Sequence, residues 1–423
     1  MRRRRFQARG LLPRRTAGPL GLRRARSRPQ TGMRHRPARP RSGRGEVVPR
    51  AEGGPGGVWV AASILTALGI VMIYSTTAPL AIGRAVPRHL VQHLLALGIG
   101  LAAIALALRT PLAVWRRLAL PLWGASIALL AATLAIGIEV NGARRWLPVP
   151  GISLRFQPAE LARFATLLAV ASVLARRGAS LQGMRQALAL TAAPGLLLLA
   201  QPDFGSTALL LVACAALLFA VGTPILHLGA LGAAAAAGTA AYVALKPYAA
   251  ARFTGFLDPW QTANDEGFQL VQSFIAFSRG GTLGVGLGDG RQKLFYLPEA
   301  HTDFMLSVVA EELGLVGVLV VLGAFAALAV AGIRIALRSR DPYVMLVGFG
   351  MTVLLALPAA VNAAVVMGLL PTKGFPLPFV SYGGNSLVVC SLAVGILLRI
   401  AAHEATPEPA RVRPAVPRGW VRS

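Results

Sequence analysis

Residues 186 to 245 read QALALTAAPGLLLLAQPDFGSTALLLVACAALLFAVGTPILHLGALGAAAAAGTAAYVAL, and Asp203 is the one formally charged residue among these sixty. A transmembrane helix needs about 20 apolar residues, so this stretch has room for three crossings. The apolar residues run continuously and do not alternate with polar ones, which favours helices over membrane strands. The pattern predicts an all-α, polytopic membrane protein.

The rest of the 423-residue chain has the same character, because 55% of its residues are hydrophobic and only 14% are charged. Hydropathy along the chain predicts about ten transmembrane helices and one large extracytoplasmic loop, at residues 246–302. The predicted spans are 57–77, 90–108, 119–138, 158–175, 186–200, 206–221, 225–245, 303–333, 344–368 and 381–399.

Arginine residues concentrate in alternate short loops, which indicates the orientation of the bundle. Cytoplasmic loops carry an excess of Lys and Arg, and the basic loops here contain Arg109, Arg116, Arg117, Arg176, Arg177, Arg185, Arg334, Arg338 and Arg340. We therefore expect both termini in the cytoplasm of a multi-pass inner-membrane protein. The segments left outside are 139–157, 201–205, 246–302 and 369–380.

The net charge of +27 comes largely from the N-terminal segment, where residues 1–50 hold seventeen arginines. Residues 1–55 lack the apolar content to fold alone and are expected to form a disordered, basic cytoplasmic tail. Met1 and Met33 both remain open as its start. Residues 56–400 form the expected membrane domain, and 401–423 a cytoplasmic C-terminal tail. No fold-sized basic domain accompanies the arginines, so we expect no nucleic-acid partner.

Cysteine and histidine usage points away from disulfides and metals. Cys214 and Cys390 both fall inside predicted spans, so no disulfide framework is implied. The six histidines show no metal-ligand spacing. We expect no metal site and no cofactor.

The acidic residues are unevenly placed, since eight of the sixteen lie between Asp258 and Glu312. Asp303, Glu311 and Glu312 fall where the span after the large loop begins. An acid at membrane depth costs a few kcal/mol unless it is paired or faces a wet cavity. These three residues are therefore candidates for a functional site.

Four groups of segments resemble, in order and spacing, the SEDS family (shape, elongation, division and sporulation) over roughly residues 55–400. They are NGARRW (141–146) with QPAELAR (157–163), QPDFGST (201–207), LPEAHTDF (297–304) with EELG (311–314), and GLLPTKG (368–374) with SYGG (381–384). The residues of the last two groups are more similar to those of the division branch than to those of the elongation branch.

The resemblance implies a glycosyltransferase that polymerises lipid II into glycan strands outside the cytoplasmic membrane and releases undecaprenyl pyrophosphate. It implies a class B penicillin-binding protein, a transpeptidase, as partner, together with other division proteins. In the family the aspartate of His-Thr-Asp-Phe is required for polymerisation, and the match gives that role to Asp303. A lipid II flippase, an elongation-branch polymerase and a recruiting scaffold are the alternatives.

The residues suit this chemistry on their own terms. An α-linked pyrophosphate donor yields a β-1,4 bond by inversion, and a carboxylate such as Asp303 can take the proton from the attacking hydroxyl. Thr302 is a good N-cap, which would put Asp303 at a helix start. The planar guanidinium group of arginine suits phosphate oxygens. Arg144 and Arg145 are expected either to bind the phosphates or to reach lipid headgroups. Whether a divalent cation assists the pyrophosphate stays open.

The matched motifs supply further candidates. Trp146 lies against a sugar or anchors at the interface, and Ser381 and Lys373 join the substrate-binding set. Glu160 and Arg163 bind substrate or form an intrahelical pair. Glu311, Glu312 and Asp203 are expected to brace neighbouring elements.

Two positions depart from the family pattern. Residue 163 is Arg163 where the family usually has lysine, and Phe295 stands where the division branch commonly has an acid. These departures weaken the choice of branch and leave the family resemblance intact.

Overall fold

The computed structural model describes residues 55–81, 86–140, 142–148, 155–245, 247–372 and 374–405. Residues 1–54 and 406–423, which make up nearly all of the two predicted tails, lie outside these ranges, as does Lys373.

The described residues form twelve α-helices, joined by short loops at one end of the bundle and mostly by longer segments at the other. The helices are α1 (Pro55–Thr77), α2 (Arg88–Arg109), α3 (Leu112–Ile136), α4 (Pro158–Arg177), α5 (Leu181–Ala200), α6 (Phe204–Ala220), α7 (Ile225–Leu245), α8 (Pro247–Leu257), α9 (Phe268–Gly280), α10 (Met305–Arg338), α11 (Pro342–Val366) and α12 (Gly384–Ala405).

Ten of these helices coincide with the ten predicted spans. Nine are long and apolar enough to cross a membrane, and α6 is an apolar helix of 17 residues. The prediction of an all-α polytopic protein is therefore confirmed. The helix α12 runs to Ala405, beyond the predicted end of the membrane domain at residue 400.

Burial separates a central group of helices from a peripheral one. The most apolar window of α4 is 78% buried, and those of α12 and α11 are 67% and 61% buried, so these three helices form the core. In α7 no residue is buried. Its one ring contact places Tyr242 against Phe204 of α6, with stacked rings 5.2 Å apart.

A small antiparallel sheet lies at the end of the bundle where α3 ends and α4 begins. Its strands are β1 (Ile138–Val140), β2 (Ala143–Pro148) and β3 (Arg155–Phe156), in the order β1-β2-β3, with Glu139 opposite Arg144. We call this end of the bundle the loop end. The sequence analysis predicted only an outer loop here, because strands this short carry no clear alternation.

The predicted outer loop, 246–302, has regular secondary structure over part of its length. It contains α8, α9 and a single π-helical turn at Gln292–Tyr296. Between α9 and that turn runs a glycine-rich segment in which Gly281, Gly284, Gly286 and Gly288 have positive φ, a conformation that side chains disfavour.

The glycine-rich segment interrupts α10. Gly314 has φ 67° and ψ −162°, which breaks the helix into two pieces. The amide of Leu315 donates to the carbonyl of Gly281 at 3.0 Å, and the amide of Val285 donates to the carbonyl of Glu311 at 2.9 Å. Broken backbone inside a membrane protein must find such partners within the protein. The predicted span 303–333 therefore corresponds to α10, which is two helical pieces and not one.

Candidate active site

Asp303 lies in a turn before α10 and not on the helix. The helix begins at Met305 after the N-cap residue Phe304, so the prediction that Thr302 caps it was wrong. The reason is a turn at Glu299, whose φ is +55°. Its carbonyl accepts the amides of Thr302 and Asp303 at 3.1 Å, and its carboxylate accepts the Thr302 hydroxyl at 2.9 Å.

The half-buried carboxylate of Asp303 lies directly against Gly374. A β-carbon added at Gly374 would collide with the Asp303 Oδ2 atom, so only glycine fits between the carboxylate and this part of the chain. On the backbone side, Asn362 Nδ2 donates to the carbonyl of Asp303 at 2.6 Å. Two parts of the chain that are distant in sequence thus meet at one carboxylate.

The segment 374–383, which we call the capping segment, packs into the core of the bundle. The Phe379 carbonyl, in a residue with φ +64°, lies against Gly69 in the middle of α1, where a β-carbon would clash. The Ser381 hydroxyl accepts the amide of Leu377 at 2.9 Å, and Ser381 is 3% exposed. The structure therefore places Ser381 inside a turn of this segment.

Three rings form a cluster beside the Asp303 turn. The ring centroids of His89 and His301 are 5.2 Å apart, and those of His89 and Tyr382 are 5.1 Å apart. The amide of Tyr382 donates to the His301 carbonyl at 2.9 Å, and its hydroxyl donates to Gln92 Oε1 at 2.6 Å. Burial lowers the pKa of His301 and raises the pKa of Tyr382, so both side chains are neutral near pH 7. No motif or residue spacing in the sequence indicated this cluster.

Glu311 is fully buried, and its carboxylate is surrounded by donors. Arg279 Nη1 approaches Glu311 Oε1 at 2.9 Å. The amides of Arg291 and Gln292 donate to the two carboxylate oxygens at 3.1 and 3.0 Å. Glu311 therefore joins α10 to α9 and to the π-helical turn.

Glu312 is 1% exposed, and its carboxylate is also surrounded by hydrogen-bond donors. It accepts the Ser75 hydroxyl of α1 at 2.7 Å and Lys293 Nζ at 2.6 Å. The amide of Gly288 donates to Glu312 Oε2 at 3.2 Å. One carboxylate thus connects α1, α10 and the glycine-rich segment.

The three residues predicted from the Asn-Gly-Ala-Arg-Arg-Trp motif lie on β2. Arg144 is half exposed and sits 3.6 Å from the exposed carboxylate of Glu139. Arg145 points to the turn after α5, where its guanidinium donates to the carbonyls of Gln201 and Pro202. Trp146 is half-buried. Arg144 is the arginine whose guanidinium is more open to solvent.

Two further predicted residues pair within α4. Arg163 Nη2 and Glu160 Oε1 form a largely buried ion pair at the i,i+3 spacing. The intrahelical pair that the sequence analysis left open is therefore present.

Asp203 is the N-cap of α6. It accepts the amide of Ser206 at 3.3 Å and the Ser206 hydroxyl at 2.6 Å. Such an N-cap stabilises the helix start.

Asn362 is the site residue that the sequence motifs did not single out. It is 1% exposed within α11, and its amide also donates to the Phe375 carbonyl at 2.6 Å. The sequence indicates Asn362 only by placing an amide side chain inside an apolar span. Across the described part of the chain, no group of three or more His, Cys, Asp and Glu side chains could hold a metal ion.

Comparison with known proteins gives consistent matches over most of the chain. The family model described as cell cycle protein, FTSW_RODA_SPOVE, matches residues 57–406. A probable peptidoglycan glycosyltransferase FtsW of Geobacter sp. (strain M18) is 41% identical over 363 residues, which cover 84% of this chain and 98% of that protein. One of Coxiella burnetii (strain RSA 493 / Nine Mile phase I), with the same description, is 40% identical over 348 residues, 80% of this chain and 93% of that protein.

Solved structures agree with the sequence matches. A chain from a study of structural coordination of polymerization and crosslinking by a peptidoglycan synthase complex has a TM-score of 0.72 and 32% identity, covering 84% of this chain and 99% of that one. The rod shape determining protein RodA of Thermus thermophilus has a TM-score of 0.61 and 29% identity, covering 85% of this chain and 100% of that one.

The resemblance to the SEDS family is thereby confirmed, and the relatives named FtsW confirm its division-branch character. The match to the family model spans ten apolar helices and the Asp303 turn together. This chain therefore belongs to the cell cycle protein family that includes FtsW, RodA and SpoVE.

Proposed function

We propose that this chain is a peptidoglycan glycosyltransferase that polymerises lipid II into glycan strands at the outer face of the cytoplasmic membrane during cell division. The observation that carries the proposal is the half-buried Asp303 carboxylate, held at the loop end against Gly374. The relatives named peptidoglycan glycosyltransferase FtsW support the same activity.

The reaction needs a base at the attacking hydroxyl. The 4-hydroxyl of the acceptor sugar attacks the anomeric carbon of the donor, whose bond to the pyrophosphate oxygen breaks with inversion. The electron pair leaves with undecaprenyl pyrophosphate, and the carboxylate of Asp303 takes the hydroxyl proton. General-base catalysis of this kind typically contributes about 10²- to 10⁴-fold.

The leaving pyrophosphate needs positive charge close to it. Arg144 supplies an exposed guanidinium at the loop end, whereas the guanidinium of Arg145 is engaged by the carbonyls of Gln201 and Pro202. We infer that Arg144 meets the phosphates while Arg145 fixes the hairpin that carries it. Trp146 and Lys373 complete the proposed substrate-binding set.

The remaining predicted residues have contacts that suit positioning roles. Glu160 and Arg163 pair within α4, and the hydroxyl of Ser381 holds a turn of the capping segment. We infer that they shape the site from behind. Glu311, Glu312 and Asp203 are inferred to brace the helices that they join.

The biological setting follows from the same family. We propose that the protein works in the inner membrane with both termini in the cytoplasm, and with a class B penicillin-binding protein that crosslinks the new strands. The neighbouring solved structure, described as a peptidoglycan synthase complex, supports such a pairing. Other division proteins are further proposed partners.

One observation keeps a lipid II flippase as the second candidate. Discontinuous helices are typical of transporters, and α10 is broken at Gly314. The acids that accompany this break, however, are already engaged in ion pairs, with Arg279 and Lys293. The polymerase is therefore the better-supported function.

Purified protein supplied with lipid II separates the two functions. Wild type should make glycan strands that are resolved by gel, Asp303→Asn should not, and Asp265→Asn should match wild type because Asp265 is an exposed loop acid. Lipid II labelled on its headgroup, in vesicles, reports flipping through its accessibility to a membrane-impermeant quencher. Flipping without strands from wild type would overturn the polymerase in favour of the transporter.

A further inference from the structure

The side chain of Asn362 bridges two backbone segments at the candidate active site. It projects from α11, is 1% exposed, and donates through Nδ2 to the carbonyls of Asp303 and Phe375, each at 2.6 Å. Both amide hydrogens of one side chain are therefore used on residues that lie 59 and 13 positions away along the chain.

The two carbonyls flank the reacting carboxylate. One belongs to Asp303 itself, and the other belongs to Phe375, which follows the glycine against which the Asp303 carboxylate lies. A second link, from the amide of Tyr382 to the carbonyl of His301, joins the same two segments at 2.9 Å. Asn362 therefore fixes the separation between the Asp303 turn and the capping segment at the point nearest the carboxylate.

The chemistry of this position requires a primary amide. Only Asn and Gln offer two hydrogens on one neutral nitrogen, and Asn is the shorter of the two. Asn362 Oδ1 accepts no hydrogen bond from the residues that the structure describes, so the side chain acts here through its two donors. A buried amide in an apolar span is costly unless its hydrogen bonds are made.

We propose that Asn362 is a positioning residue for Asp303, acting through the Asp303 backbone to hold the carboxylate at the distance from the capping segment that proton transfer requires. This inference rests on the proposed function, because it assumes that Asp303 is the base. A displacement of about 1 Å in a positioned site can cost about 10²-fold in rate.

The test compares kcat and KM for lipid II, and the melting temperature in detergent, for wild type, Asn362→Ala and a matched control. Asn362→Ala should lower kcat by about 10- to 100-fold while KM stays within about twofold of wild type. Asn385→Ala is the control, because the amide of Asn385 donates to the carbonyl of Arg155 at 2.8 Å and takes no part in holding Asp303. It should keep the wild-type kcat.

A double variant distinguishes positioning from a structural role. In this proposal Asn362 affects catalysis only by positioning Asp303. The double variant that carries both Asp303→Asn and Asn362→Ala should therefore be no slower than Asp303→Asn alone. A further drop in the double variant, or a wild-type kcat for Asn362→Ala, would overturn the inference.

Asn362→Ser covers the case in which Asn362→Ala does not accumulate, since serine keeps one donor. A low kcat for Asn362→Ser at a wild-type melting temperature supports positioning. If kcat and the melting temperature of Asn362→Ser recover in parallel, or if this variant also fails to accumulate, Asn362 has a folding role and the inference is overturned. A wild-type turnover for Asp303→Asn would instead refute the proposed function itself, so the two failures are distinguishable.

Discussion

Two groups of carboxylates at the loop end of α10 differ in how they are held. Glu311 and Glu312 lie inside the helix, are almost fully buried, and are bonded to Arg279 and Lys293 and to backbone amides. Asp303 precedes the helix, is half-buried, and lies against the backbone of Gly374.

The difference matches the two roles that we propose, bracing for Glu311 and Glu312 and catalysis for Asp303. The carboxylates of Glu311 and Glu312 each join α10 to other segments through a cation and backbone amides. Asp303 lies in a turn before the helix and is only half-buried, so a substrate can reach its exposed side. In the proposed mechanism, the acids of the EELG motif keep the helices in place while Asp303 takes the proton.

The largest expected effect is that of Asp303→Asn on catalysis. The amide keeps the shape of the side chain and removes the proton acceptor, so strand synthesis should fall by about 10²- to 10⁴-fold. The melting temperature and binding to the partner transpeptidase should persist. Strand length by gel at matched protein amounts measures this, and normal strands would remove Asp303 from the mechanism.

The opposite result is expected for Lys293→Met, which should damage stability before activity. It leaves the buried carboxylate of Glu312 without its cation, which typically costs about 3–5 kcal/mol. Thermal unfolding in detergent is the measurement. Arg144→Ala is the control, because its 3.6 Å pair with Glu139 is exposed and should cost less than about 1 kcal/mol. Equal losses from both variants would contradict the comparison.

Gly374→Ala tests the closeness of the capping segment to the carboxylate. The new methyl group must displace Asp303 or the segment, so kcat should fall by about tenfold or more while the fold persists. Gly383→Ala lies in the same segment, where the added β-carbon would be 3.4 Å from Pro376, an ordinary contact. If the two variants had the same kcat, the contact at Gly374 would have no catalytic consequence.

The smallest effect is expected from the two hairpin arginines. Arg144→Ala breaks only an exposed pair with Glu139, so stability should change by less than about 1 kcal/mol. Its KM for lipid II should rise several-fold if it meets the phosphates. Arg145→Ala should instead lower stability by about 1 kcal/mol. An unchanged KM for Arg144→Ala would make Arg144 a headgroup anchor.

Hydrophobic length predicted most of the fold, because a span of apolar residues must become a helix in a membrane. The predicted spans 57–77 and 225–245 differ from α1 and α7 by two residues or fewer at either end. The break at Gly314 could not be predicted in this way. It depends on the glycine-rich segment from α9, whose backbone replaces the missing helical hydrogen bonds.

The site was predictable where it depends on ionisable residues and not where it depends on tertiary contacts. Asp303 stood out as an acid at a span start, whereas Asn362 reads as one polar residue inside α11. The capping role given to Thr302 failed because a local turn at Glu299, whose φ is positive, takes the amides of Thr302 and Asp303. The cluster of His89, His301 and Tyr382 joins three separate segments, which no spacing rule connects.

The bridge made by Asn362 has a consequence for biosynthesis. During translation, Asp303 is added to the chain 59 residues before Asn362, and the capping segment is added later still. A nascent chain that has been translated only as far as α10 therefore carries the carboxylate without the structure that holds it. The site can close only after α11 has crossed the membrane and the capping segment has followed it, so the enzyme cannot become competent while its earlier helices are inserting.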